Sequence, residues 1–580
     1  MRKQLSGVGK AFGIVWDADK TYPFLLLTRA LAESAIPLTI SICVSRLVSE
    51  MAGERRLDAI LLMLSLLLLG TLLLRALGTW LDWQCSYRYM CMQDIFTEKN
   101  SMKAMRMEYA ATESAEVADL YAHAWNANIA PGTIVEQVFS VFGSAAQMLG
   151  CAGIILHLGS VLLGVVAVFI ALYCLLDDRM GARRRQYGLE IVPLDRMIAY
   201  TRGCMGDASC AKDIRLYYPD RFFLNRLETY QKQKREKQAS LEDACARALS
   251  WQAVLQMAQT VALYAVLVRR FLQGGIEIGY FSLAVSSIGI FMGAVKRISG
   301  SWNQIVSNTV SLGYLERFRS LPERFDGDQT LSGEMLRVEF KDVWFRYPGA
   351  DKYSLEAVNV TLNKGEIMTI VGENGSGKTT FVKLLLGLYR PTKGEILLNG
   401  VNIEAYGKVF APVFQDYRLF AYTIRENLVF DGAYPKEEAE ALLAELGLDE
   451  KINSLPDGVE QYVGKGYEPS GVDFSGGEGQ KITIARALLK DNSCVVLDEP
   501  TAALDPLAEM ELYRQINRLA GEKSCVFITH RLAGVRFSDR ILYFENGRIA
   551  EQGTCQELLQ KEGRFYEFYQ LQARRYEKAT

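Results

Sequence analysis

Apolar residues are concentrated in the first half of the 580-residue chain. From Gln137 to Leu176, forty consecutive residues contain no Asp, Glu, Lys or Arg. A helix needs only ~20 apolar residues to cross a ~30 Å hydrocarbon layer, so this length predicts two spans joined by a tight turn near Gly159-Ser160. Ala248 to Val268 and Ile278 to Val295 are two more uncharged runs, separated by a segment that includes Arg269-Arg270 and Gly274-Gly275. Leucine-rich Ile60 to Leu74, extended to about Trp83, predicts another span. Pro23 to Val48 is mostly apolar but carries Arg29, Glu33 and Arg46, and reads as a first span with buried charge. Those segments predict six spans. Ahead of them, Val8 to Lys20 mixes Phe12, Ile14, Val15 and Trp16 with Lys10, Asp17 and Asp19, which suits either a short helix in the membrane interface or an ordinary surface helix.

The links after the first, third and fifth spans are short, whereas Gln84 to Pro131 and Asp178 to Arg247 are long. The second long link is rich in Arg and Lys, including Arg183-Arg184-Arg185, which favours a cytoplasmic position. The first is slightly acidic and Arg269-Arg270 falls on the other side, so charge alone leaves orientation open. Arg29 and Glu33 lie one turn apart inside the first span, and an intramembrane charge is a functional hypothesis by default. The plainer reading is an intrahelical ion pair. Lys296 and Arg297, at the end of the sixth span, would favour anionic groups if they face a cavity, or else would snorkel to headgroups.

Polar Leu321 to Gly333 breaks the apolar periodicity and reads as a linker. Beyond it lies an apolar strand, Ile367 to Val371, followed by Gly372-Glu373-Asn374-Gly375-Ser376-Gly377-Lys378-Thr379-Thr380. This is the P-loop pattern in its strand–loop–helix context. Glycines let successive N–H groups point inward at phosphate oxygens, and the helix starting near Lys378 adds the positive end of its dipole. Lys378 would reach the β- and γ-phosphates and Thr379 would ligate Mg²⁺. Because ATP is cytosolic and six spans are an even number, both termini are expected in the cytoplasm.

Composition narrows the alternatives. A net charge of −2 and a pI near 6.2 give no basis for nucleic-acid binding. Eleven cysteines without a C-x-x-C pair and only three histidines leave little for a zinc or iron–sulfur centre. Basic Met1-Arg2-Lys3 is not followed by a signal-peptide apolar region, so a cleaved leader is not expected.

Six spans, two long links and a C-terminal P-loop module together resemble a half-transporter of the ATP-binding cassette (ABC) superfamily, exporter type. The resemblance implies an all-α six-helix transmembrane domain (1–320), a linker (321–333) and an α/β P-loop NTPase cassette with a helical subdomain (334–574). It implies short coupling helices at the tips of the long links. Ala211 to Tyr217 resembles the second, and the first is placed near Ser114 to Leu120. Tyr347, before Pro348, resembles the aromatic that stacks on adenine, with Trp344 and Phe345 read as core. Gln415 resembles the glutamine that contacts Mg²⁺ and the attacking water. Phe474-Ser475-Gly476-Gly477-Glu478 resembles the signature LSGGQ, in which Ser475, Gly476 and Gly477 would cap the γ-phosphate of ATP held by a partner's P-loop. Phe474 and Glu478 depart from that pattern, as does Lys465 where such exporters commonly carry glutamate.

Ser493 to Pro500 is an apolar strand ending in two carboxylates that point opposite ways: Asp498 would orient Mg²⁺, and Glu499 would act as general base toward water. Asp505 resembles the D-loop aspartate and His530 the switch histidine on the γ-phosphate. Ile541 to Ile549 carries an Asn-Gly hairpin signal, and the tail past Gly563 reads as a packing helix. The expectations are ATP and Mg²⁺ as cofactors, and a second half-transporter as partner, either another copy or a paralogue. Membrane lipid and a transported small molecule complete the partners, in the plasma membrane. The resemblance implies ATP-driven export of an amphipathic or lipophilic small molecule, lipid or peptide. The alternatives are import, as of siderophores, a soluble cassette ATPase on ribosomes or DNA, and a membrane receptor that does not transport.

Overall fold

The computed structural model describes residues 2–157, 160–207, 210–273, 276–323, 337–403, 409–430, 435–466, 468–490, 493–499, 506–521, 523–529 and 531–577. Most of the linker, Asp505 and His530 therefore lie outside the described residues. The chain divides into two compact units: Met1–Met105 with Ala115–Leu321, and Arg106–Ser114 with Pro322–Thr580.

The first unit is helical: α1 Arg2–Ala18, α2 Tyr22–Ala52 and α3 Leu57–Arg106, then, past the one-turn α4 Tyr109–Thr112, α5 Ala115–Asn126, α6 Ala130–His157, α7 Ser160–Gly206, α8 Ala211–Tyr217, α9 Asp220–Leu272 and α10 Ile278–Arg319. Among the described residues five helical stretches are long and apolar enough to cross a membrane. The sixth long helix, α7, opens on the charge-free run that ends at Leu176. At 1.5 Å per residue the 53-residue α9 is about 80 Å long, well beyond a bilayer core, so most of the long polar links is helix continuing out of the apolar layer. Two sequence boundaries move. α1 starts at Arg2 rather than Val8, with Ala11 and Val15 fully buried one turn apart as it packs on α6 and α10. The expected first coupling segment, 114–120, is instead the start of α5, and the short turn at α4 belongs with the second unit.

Where lipid is as apolar as leucine, helices associate through small residues and buried hydrogen bonds. A Cβ on Gly143 of α6 would sit 2.8 Å from the Ala30 carbonyl oxygen of α2. A Cβ on Gly279 of α10 would sit 2.7 Å from the Ser45 carbonyl oxygen, and Ser45 Oγ donates to Gly279 O at 2.7 Å. Asp177 of α7 accepts from Asn303 Nδ2 of α10 at 2.7 Å.

The second unit holds β1 Arg337–Phe345, β2 Leu355–Asn363, β3 Ile367–Gly372, β4 Lys393–Leu398, β5 Val401–Asn402, β6 Phe410–Val413, β7 Cys494–Asp498, β8 Ser524–Ile528, β9 Arg540–Glu545 and β10 Arg548–Gly553. One sheet runs β10-β9-β3-β8-β7-β6, parallel except for β10 at its edge; an antiparallel sheet runs β2-β1-β4-β5. Every residue of β7 and β8 is buried, which is why both read as continuous apolar runs rather than alternating ones. Asn546 and Gly547 take φ of 47° and 78°, the pair of positive values a two-residue hairpin turn demands. Helix α11 Lys378–Leu385 follows β3. Helices α12 Ile424–Leu428, α13 Lys436–Glu445, α14 Asp449–Asn453 and α15 Gly476–Leu489 build a helical lobe around Leu428, Leu443, Ile452, Val459 and Ile482. Helices α16 Pro506–Ala520, α17 Leu532–Val535, α18 Cys555–Gln560 and α19 Arg564–Glu577 complete the unit, α19 burying Phe565.

Candidate nucleotide-binding and catalytic site

The loop after β3 can follow its path only with glycine at two points. A Cβ on Gly372, φ 149°, would meet Phe544 O at 2.3 Å, and one on Gly377, φ 107°, would meet Leu355 Cδ2 at 2.8 Å and Ser354 O at 2.9 Å. The result is a tight cradle that opens directly into α11. Its N-cap, Gly377, supplies no side-chain acceptor, which leaves the first-turn N–H groups without a side-chain cap and able to take a phosphate oxygen. Lys378 is buried, and its Nζ donates to the carbonyl oxygens of Gly372 at 2.9 Å and Glu373 at 2.7 Å. Burial lowers its pKa, while the charges of Glu499 and Asp498 push the other way, which puts all three groups within electrostatic reach. Ser376 Oγ is buried with no hydrogen-bond partner among the described residues, an orphan that a phosphate oxygen would satisfy. A cavity of ≈ 450 Å³ lies here, lined by Gly375, Gly377, Lys378, Thr379 and Thr380 on one side and by Tyr353 and Asn546 on the other. Asn374 sits exposed on the crown of the loop. These features fit a nucleoside triphosphate.

The strand order brings the carboxylates to the same sheet edge. β8 lies between β3 and β7, with Ile528 paired to both Ile370 and Asp498, so Asp498 ends two strands from the start of the P-loop. Asp498 is buried, and that burial, with the neighbouring Glu499 charge, raises its carboxyl to about 6 against the pull of Lys378. Glu499 takes φ +49°, a left-handed conformation that costs a non-glycine residue ~1–3 kcal/mol. It is held by its N–H to Ile528 O at 3.0 Å and by Gln480 Nε2 donating to its carbonyl oxygen at 3.4 Å. That kink turns Glu499 off the strand, leaving it half-buried beside buried Asp498. Gln415 is exposed two residues past the Val413–Leu497 pair of β6 and β7, at the same edge.

Ser475 caps α15. Its Oγ accepts from Glu478 N at 3.3 Å while Glu478 Oε2 accepts from Ser475 N at 2.8 Å, a reciprocal capping box that satisfies two end-of-helix donors. The Ser475 N–H is the leading reason the Glu478 carboxyl lies below its ordinary pKa. Glu478 thus holds the cap that the usual glutamine would also hold. Tyr417, which the sequence did not single out, braces this turn: its hydroxyl donates to Gly476 O, and a Cβ on Gly479 would lie 2.7 Å from the Tyr417 oxygen. None of Ser475, Gly476 and Gly477 lines the P-loop cavity. Lys465 is exposed, its N–H 3.4 Å from Asp473 Oδ1.

Two tyrosines flank the loop. Tyr347 is half-buried, its hydroxyl 3.1 Å from Thr380 Oγ1 and its ring edge-on to Tyr389 at 5.3 Å. Lys383 Nζ lies over the rings of Tyr109, Tyr347 and Tyr389, and Glu113 accepts from both Lys383 Nζ, at 3.2 Å, and the Tyr389 hydroxyl. The aromatic on the cavity wall is Tyr353, edge-on to Trp344 at 5.2 Å. Phe345 is buried as expected, but Trp344 is only half-buried and donates Nε1 to Asp342 Oδ1 at 3.1 Å, so it is no core residue.

Residues 355–502 match the family described as ABC transporter. The subtilin transport ATP-binding protein SpaT of Bacillus subtilis is 32% identical over 359 residues, 60% of this chain and 58% of that protein. The mycobactin import ATP-binding/permease protein IrtB of Mycolicibacterium thermoresistibile is 39% identical over 247 residues, 42% of each chain. An ATP-dependent lipid A-core flippase of Xylella fastidiosa is 32% identical over 311 residues, 52% of each. The chain thus spans about half the length of the curated relatives it matches. A bacterial Atm1-family ABC exporter with ATP bound superimposes with a TM-score of 0.74 at 20% identity, over 96% of this chain and 98% of that one. With a P-loop, paired carboxylates and a capped turn at the start of α15 within the matched stretch, residues 355–502 are a cassette of the ABC transporter family, on a chain with the fold of an ABC exporter.

Proposed function

We propose that this chain is one half of an ATP-driven membrane transporter. The observation that carries it is the convergence of Lys378, Asp498 and Glu499 at one sheet edge, in a chain whose other unit holds six long helices. The P-loop amides, Ser376 and Lys378 bind the triphosphate, and Glu499, turned out of the strand, accepts a proton from the attacking water. Gln415 orients that water. His530 and Asp505 join the site on the strength of their motifs. Thr379, Asp498 and Gln415 would hold Mg²⁺, which when bound offsets charge on the phosphates. Ser475, Gly476 and Gly477 act on the nucleotide of a second half-transporter, because they stand away from their own P-loop cavity. Tyr347 closes the adenine side.

Membrane-embedded helices with the cassette in the cytoplasm imply alternating access driven by cassette pairing. The lipid A-core flippase and subtilin relatives favour outward movement of a lipid, peptide or other amphipathic molecule across the plasma membrane. Import is the second reading, favoured by the mycobactin import protein at 39% identity. Inside-out vesicles decide between them: export accumulates substrate inside with ATP, whereas ATP-driven loss of preloaded substrate means import. Absence of ATP hydrolysis from the lipid-reconstituted chain, both alone and together with the half-transporter that co-purifies with it, would refute both.

A further inference from the structure

Arg29, in the apolar stretch of α2, is bound by three carboxylates from three helices. Its Nε lies 3.0 Å from Glu33 Oε1 of α2 and bonds Asp82 of α3, and its Nη1 lies 3.1 Å from Glu136 Oε1 of α6. The i,i+4 pair with Glu33 exists, yet one carboxylate would have sufficed to neutralise Arg29. Three leave two negative charges more than Arg29 neutralises, on side chains that are 39–51% exposed.

The excess faces a cavity of ≈ 250 Å³ lined by Arg29, Glu33, Ser34, Glu136, Gln147 and Arg297, among others. Arg297 of α10 carries the opposite sign. Its hydrogen-bond partners, Ser144 Oγ at 3.3 Å and Gln147 Oε1, are neutral, and Gln147 is itself buried and anchored on Ser34 O at 3.4 Å. Lys296, its neighbour in sequence, turns to a different cavity with Gln256. One small polar chamber thus has an anionic side at Glu33 and Glu136 and a cationic side at Arg297. Neither side is neutralised by the other through any direct ion pair among those found in the described residues.

We propose that this chamber binds a small zwitterion, its ammonium group against Glu33 and Glu136 and its carboxylate against Arg297, as in an amino acid or short peptide with free termini. The proposal rests on the transporter reading and narrows its substrate class. The full chain is reconstituted in phosphatidylglycerol vesicles, where no lipid carries an ammonium group, and binding of tritiated Ala, Ala-Ala and Ala-Ala-Ala is measured beside ATP hydrolysis. Saturable binding of at least one of them is expected, weakened ~10-fold or more by N-acetylation or by C-terminal amidation, the scale of one charged hydrogen bond lost. Arg297→Gln should bring the acid and its amide to within ~2-fold of each other, and Glu33→Gln should do the same for the amine and its acetyl form. Blocked and free peptides binding alike, or added phosphatidylethanolamine being the sole zwitterion bound, would overturn the proposal. Zwitterion binding without any ATP hydrolysis, both by the chain alone and with its co-purified partner half-transporter, would remove the transporter reading and leave the chamber's assignment standing.

Discussion

Removing the Glu113 carboxylate should release the stretch Arg106–Ser114 from the rest of its unit. That stretch is held by several contacts: Met107 bridges to Glu323, Glu108 N donates to Pro322 O at 3.2 Å, Arg390 pairs with Glu108 at 3.2 Å, Tyr109 and Ala110 pack on the cassette core, Tyr109 meets Tyr389 edge-on at 5.6 Å, and Glu113 accepts from Lys383 and Tyr389. Glu113 is 43% exposed, so its ion pair with Lys383 falls in the ~0.2–1 kcal/mol range of solvated pairs. Tyr389 is buried, and leaving its hydroxyl without the acceptor adds ~1–3 kcal/mol. Together Glu113→Ala should cost about 2 kcal/mol of local stability, which is ~30-fold in the opening equilibrium. Hydrogen exchange of peptides covering 106–114 in the full chain reads this directly. The Tyr389 bond is the main reason the Glu113 pKa is below its ordinary 4.5. A depressed carboxylate stabilises above its unfolded pKa and loses that contribution as pH falls through the folded value. The difference between wild type and Glu113→Ala should therefore be full at pH 7 and shrink below about pH 4.5, after correction for intrinsic exchange. Unchanged exchange at 106–114 at pH 7, or an equal rise in Glu116→Ala, whose carboxylate sits in the first turn of α5, would refute the reasoning.

Glu499→Gln should keep ATP binding and lower steady-state hydrolysis by at least ~10²-fold, since the amide keeps the shape and cannot take the proton; near-normal phosphate release would sink the assignment. Mixed Lys378→Ala and Ser475→Ala chains should recover part of the hydrolysis that each lacks alone, because one composite site is intact in the mixed pair. No recovery would count against pairing between copies and favour a paralogous partner. Glu478→Gln should preserve the capping box, lower thermal stability by ~0.3–1 kcal/mol through the lost charge at the α15 N-terminus, and tighten ATP, a KM rise being the contrary result.

What was legible in the sequence is what local chemistry demands of neighbouring residues. Charge-free runs of spanning length have one economical meaning in a bilayer, and α6, α7, α9 and α10 follow them. The turn after β3 and the Asn546-Gly547 hairpin need glycine at set φ, so both are written into a few adjacent positions. α4 was illegible for the opposite reason. It is one turn long with no buried residues, and it is held by Lys383 and Tyr389, which lie 270 and 276 positions from Glu113. Tyr347 and Tyr353 look alike as aromatics after a strand; which of them lines the cavity depends on the path between β1 and β2. The same limit explains Arg29. The sequence offered Glu33, one turn away, as a sufficient partner, but Asp82 and Glu136 reach it from other helices. A periodicity argument sees only the first of those three carboxylates and so predicts a neutral pair. The excess charge exists only after helices α2, α3 and α6 are brought together, so substrate chemistry in such a chamber is a property of packing rather than of any motif.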